Sequence, residues 1–170
     1  TQFIGHPLAK SIEKDIDMLS VRRDLEIQTE TLIAIMPGSR KAEINQHMEI
    51  LFEAAELIEQ ESYKNNNGDI QFIVPTVFSE SKEILKHSKP KLFKKFHFIK
   101  DSTKAISASD LVITKSGTST LQAALHKKPM IVIYRMSNAT YYLLKIFNLV
   151  KTKYAARSEE HTSERVFRAV

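Results

Sequence analysis

The chain has 170 residues, 42% of them hydrophobic and 26% charged, with a formal net charge of +5 and no cysteine. That composition fits one globular domain, or a domain with part of another. It excludes disulfides and thiolate metal sites and is consistent with a reducing compartment; no apolar run is long enough for a membrane span, and Thr1-Gln2 opens no signal peptide. The lysine-rich surplus suits nucleic acid, anionic lipid or a phosphorylated ligand, although solvated surface lysine explains most charge of this kind.

The opening TQFIGHPLAKS reads as a strand end and a turn closed by Pro7. Residues 12–25 are charged and loosely periodic, a helix with a connection. TLIAIM, Thr31–Met36, is a continuous apolar run of strand length, expected of a strand buried on both faces. PGSR, residues 37–40, breaks it. Over 42–61 the apolar positions Ile44, Met48, Leu51, Phe52, Ala55 and Ile58 predict a helix. NNNGD, 65–69, is a turn, and IQFIVP, Ile70–Pro75, a second strand. A helix over 79–87, a short strand at Phe96–Ile99, a helix at Ser102–Ala108 and a strand at 110–115 follow. Residues 118–126 read as a helix, PMIVIY as a strand, and 139–150 as a last helix. Strands alternating with helices predict an α/β fold, a Rossmann-like doubly wound parallel sheet whose ligands bind beyond the carboxyl ends of the strands.

Two of those strand ends carry suggestive turns. In the second, Ser116-Gly117-Thr118-Ser119, glycine permits a tight turn and either Ser116 or Thr118 can cap the helix that follows. The same amides and hydroxyls can instead hold a diphosphate at the helix N-terminus. In the first, Gly38, Ser39 and Arg40 follow their strand in the same way. Arg40 is either a surface arginine or a bidentate partner for an anion; its place at a helix start, where the dipole disfavours a cation, makes more sense with an anion between them. Glu43, three residues on, steers Arg40 or merely favours the dipole. Gln122, in the first turn after the second loop, either bonds a sugar hydroxyl or, as is more common for glutamine, faces solvent, and Arg135, after the PMIVIY strand, is a candidate second anion contact. His6 has no carboxylate partner nearby in sequence and reads as a turn residue. Neither a Walker loop nor a GxGxxG fingerprint is present. With four glycines in the chain, each is expected to serve the backbone. The segment ATYYLLKIFNLVKTK is either a core or interface helix or a basic, aromatic surface for anionic lipid.

Taken together, FIGHPL, MPGSRKAEI, SDLVITKSGTSTLQAAL and PMIVIYRMSNATYYLLKIFNLVKTKY come in the order and spacing of the lipid-A-disaccharide synthase family, and the resemblance runs from Phe3 to about Tyr154. It implies one half of a GT-B fold, with 1–30 as the crossover from an N-terminal domain and 31–156 as an incomplete UDP-sugar-binding domain. The implied enzyme is an inverting glycosyltransferase joining UDP-2,3-diacylglucosamine to 2,3-diacylglucosamine 1-phosphate, with release of UDP. Arg40 falls on the family's functional arginine, where it would stabilise the leaving group. Ser116, Gly117 and Thr118 fall on its diphosphate loop. The resemblance implies no metal or other cofactor and places the general base in the N-terminal domain. It further implies a cytoplasmic protein peripheral to the inner membrane, with anionic lipid and a second copy of the intact parent as partners.

This sequence departs from that pattern in three places. Gln122 stands where the family usually has glutamate, so a charge-assisted bond to the ribose is lost. Lys10 replaces an acid and transfers nothing. After KTKYAA the sequence becomes RSEEHTSE, which matches the translation of a common sequencing-library adapter, so 157–170 is expected to be a non-native tail and the fragment alone inactive. Other readings are a different GT-B UDP-sugar enzyme, a glycosyltransferase or epimerase, and a non-catalytic nucleotide-binding module. Nucleic-acid binding ranks last, for want of an aromatic-basic motif.

Overall fold

The computed structural model describes residues 17–75 and 79–133, together with the backbone of 166–167. At its centre is β1 (Thr31–Met36), whose side chains alternate between two cores. Ile33 and Ile35 pack into one, and Leu32, Ala34 and Met36 into the other. A strand apolar at every position is what burial on both faces requires. β2 (Ile70–Pro75), β3 (Phe96–Ile99), β4 (Leu111–Lys115) and β5 (Met130–Ile133) join it in the order β3-β2-β1-β4-β5, every pair parallel. A two-residue strand, β6 (Val166–Phe167), runs parallel beside β5.

Helices cover both faces of the sheet. On one, α2 (Lys41–Asn65), α3 (Ser79–Ser88) and α4 (Pro90–Phe93) supply Ile44, Met48, Leu51, Phe52, Leu85 and Leu92. On the other, α1 (Met18–Asp24), α5 (Ser102–Ala108) and α6 (Thr118–Leu125) supply Val21, Ala105, Ile106 and Ala123. This is the expected Rossmann-like arrangement. Among the described residues no helix is long and apolar enough to cross a membrane.

The differences from the expected elements have local causes. The helix predicted over 42–61 continues to Asn65, because buried Ser62 donates to the carbonyl of Gly68 (3.1 Å) and ties the helix end to the turn. Asn66 then ends it in the left-handed conformation at φ 54°. α4 was not expected; proline at its start presets one short turn. Of the predicted 12–25 segment the described part begins at Asp17, and there Met18–Asp24 is helical, started by Asp17, whose carboxylate accepts from the amides of Leu19 and Ser20 (both 3.1 Å). β4 begins one residue later than predicted. Asp110 stands just before it and accepts from Leu32 N (2.8 Å) and Arg22 Nη2 (2.6 Å). The predicted helix over 139–150, Tyr134 and the opening turn with His6 and Lys10 lie outside the described residues.

Candidate functional site

Strand order reverses between β1 and β4: from β1 the chain crosses to β2 on one side, and β4 lies on the other. The loops after β1 and β4 lead into α2 and α6, on opposite faces of the sheet, and such a divergence opens a crevice at the carboxyl ends of the strands. A cleft of about 700 Å³ lies there. Gly38, Ser39 and Arg40 line it from the first loop, Ser116, Gly117, Thr118 and Ser119 from the second, and Gln122 from one turn into α6. Residues 76 or more apart in sequence are thereby brought into one site.

Local backbone geometry shapes both loops. Gly38 has φ 117° and Gly117 φ 155°, a region costly to a residue with a side chain. Gly68, at φ 85°, is the third described glycine, so all three serve the backbone as expected. Arg40 is the N-cap of α2 and Gly117 that of α6, and neither helix has a side-chain cap. The sequence left Ser116 or Thr118 open as a cap for α6, and the structure shows neither in that role. Thr120 Oγ1 instead donates to the carbonyl of Gly117 (2.6 Å). By contrast α1, which starts away from the cleft, and α5, whose first residue Ser102 also lines it, are both capped by aspartate, Asp17 and Asp101. Of the helix starts at the cleft, those of α2 and α6 therefore bring their dipoles to it without a carboxylate.

Arg40 is exposed at the cleft edge, and Glu43 lies in the first turn of α2 with its side chain outside the described atoms. Arg135 lies outside the described residues. Sequence reasoning missed Lys115, the last residue of β4, Lys100 after β3, and Ser102 at the start of α5, all of which line the cleft. Each was visible as a polar residue ending an apolar strand or starting a helix, but only strand order puts them together. Met36, Ile44 and Pro75 form apolar walls.

None of the described lining side chains is acidic, so the cleft focuses positive potential. His97 and His126 are both held below the ordinary histidine value, chiefly by burial, but neither lines the cleft. Among the described residues the cleft has no carboxylate or histidine to take a proton, and no group of three or more histidines and acids that could hold a metal.

A family model described as lipid-A-disaccharide synthetase matches residues 1–159. Among curated proteins, the chain is similar to lipid-A-disaccharide synthase of Methylobacillus flagellatus, 34% identical over 84% of this chain and 38% of that protein. It is 35% identical to that of Azotobacter vinelandii over 90% of this chain and 40% of the relative. It is 36% identical to lipid-A-disaccharide synthase 1 of Legionella pneumophila over 88% and 38%. The chain thus spans about two-fifths of the length of these relatives.

Proposed function

The chain belongs to the lipid-A-disaccharide synthetase family, and on that premise we propose that its cleft holds the uridine diphosphate part of a UDP-2,3-diacylglucosamine donor. The observation that carries this reading is the meeting of the PGSR and SGT loops at the switch point, each with a glycine at positive φ and each opening a helix that no side chain caps. Helix starts without a side-chain cap and a guanidinium suit a diphosphate.

In the reaction we propose, a hydroxyl of 2,3-diacylglucosamine 1-phosphate attacks the anomeric carbon of the donor with inversion. The bond to UDP breaks, and the negative charge that develops on the departing diphosphate meets Arg40 and the starts of α2 and α6. The reading needs no metal, because these groups supply the positive charge. Ser39, Ser116, Thr118 and Ser119 offer hydroxyls and amides to the phosphates, and Gln122 faces the ribose. The proton of the attacking hydroxyl goes to a base in the part of the enzyme that this chain does not span, which also holds the acceptor. We place the intact enzyme on the inner face of the inner membrane, the 139–150 segment meeting anionic lipid.

Titrating the 170-residue chain with UDP, followed by NMR and with ADP as control, tests the site. Selective UDP binding is expected. Arg40→Ala should weaken it by about tenfold or more, the size expected for a lost charge-assisted bond, with an unchanged circular dichroism spectrum. A folded chain indifferent to UDP would overturn the reading.

A further inference from the structure

We propose that Lys115 is a second cationic contact of the diphosphate, acting on the α2 side of the cleft together with Arg40; this rests on the reading of the cleft as a UDP site. The argument starts from the alternation of β4. Val112 belongs to the core under α1, α5 and α6, whereas Ile113 belongs to the core under α2. Two residues on from Ile113, Lys115 projects to that same α2 face. Its ladder partner confirms the side, since Lys115 pairs with Ile133, which packs against the α2 core.

Register fixes the height. Met36 pairs with Thr114, so Lys115 stands level with Pro37, the first residue of the PGSR loop, on the neighbouring strand. The separation of those two backbones is about 5 Å, the ordinary strand spacing. Above this point α2 begins just after Arg40, and Ile44, one turn into it, lines the same cleft. The chain therefore parts at Lys115. Ser116 onward leads to α6 on the far face, while the lysine side chain stays on the near one. An anion seated on the uncapped start of α6 would meet Lys115 from below and Arg40 from the side.

Electrostatics select what fits there. The starts of two helices bring about half a positive charge each, Arg40 and Lys115 add two full cations, and no described lining side chain is acidic. A neutral sugar or base gains nothing from that field, and a diphosphate gains most. Lys100 is not equivalent. It follows β3, three strands from β4 in the sheet and about 14 Å away at the usual spacing, beyond the reach of one diphosphate centred at the switch point.

Isothermal titration of the 170-residue chain with UDP and NMR titration with uridine separate the phosphate contribution from the nucleoside. Lys115→Met should lose about tenfold in UDP affinity and leave uridine affinity unchanged, and the loss should shrink as salt is raised. Lys115→Arg should keep most of the affinity. Lys94→Met removes the same charge from an exposed position before β3, outside the cleft, and should bind UDP as the parent does. Circular dichroism checks each variant, and Lys115→Gln takes the place of the methionine variant if that one does not fold. Equal UDP affinity in the parent and the Lys115 variants would overturn the assignment and leave the UDP site standing. Equal losses for UDP and uridine would overturn it too, by showing a packing role. Failure of the parent itself to bind UDP would overturn both.

Discussion

Gly117 has open space where a Cβ would stand, so a side chain there meets no wall. The penalty lies in the backbone: at φ 155° any residue but glycine is strained, and a β-branched one more than most. Gly117→Val should lower stability by about 1–3 kcal/mol, as read from urea denaturation, and should weaken UDP binding by misdirecting the first amides of α6. An unchanged urea midpoint and unchanged titration would show that the turn tolerates side chains and does not aim those amides. Residues of this kind were legible in the sequence because a glycine between serine and threonine after an apolar run is unusual in a chain with so few glycines. Lys115 was not. Its neighbours in sequence make it a strand-ending lysine, and its significance comes from Arg40, 75 positions earlier, through a ladder that no local pattern reveals.

Elements are held to one another at the other end of the strands by Asp110. It accepts from Leu32 N–H on β1 and from Arg22 on α1, and Arg22 also donates to the carbonyl of Ala108 (2.8 Å) at the end of α5. The Arg22 side chain is only 12% exposed. Asp110→Ala leaves that guanidinium and a strand amide short of an acceptor. The expected loss is about 2 kcal/mol, less than for a fully buried pair because the aspartate reaches solvent. Denaturation should show it, with UDP affinity unaltered at the opposite end of the sheet; a stability within 0.5 kcal/mol or so of the parent would mean that water replaces the aspartate. The strands were readable because parallel strands buried on both faces are apolar throughout. The long helix was readable from its period. α4 was not, since four residues carry no periodicity, and the last turn of α2 was hidden because its polar Ser62 works through a bond to Gly68.

For the molecule as a whole, two half-buried histidines set a pH limit. Burial holds His97 and His126 below the ordinary value of 6.5, while the unfolded chain takes up protons at that value. Between 6.5 and the lower folded values the unfolded state binds more protons, so stability rises with pH there and falls on acidification. Asp69 adds a later loss. The hydrogen bond from Lys95 lowers its value, so its contribution is present above 3.8 and disappears as pH falls further. Urea midpoints should hold steady from about pH 8 to 7 and decline below about 6.5, a trend that His97→Gln should reduce. A flat profile down to pH 5 would contradict this. The two kinds of helix start have a kinetic consequence as well. Amides in the aspartate-capped first turn of α5, Thr103 and Lys104, are already bonded and should exchange with deuterium at the same rate with or without nucleotide. Those opening α2 and α6 have no such anchor, and a bound diphosphate would become the cap that the sequence leaves out. Their exchange should slow when UDP is added, so that the ligand is recorded as order at the starts of α2 and α6 and not at that of α5.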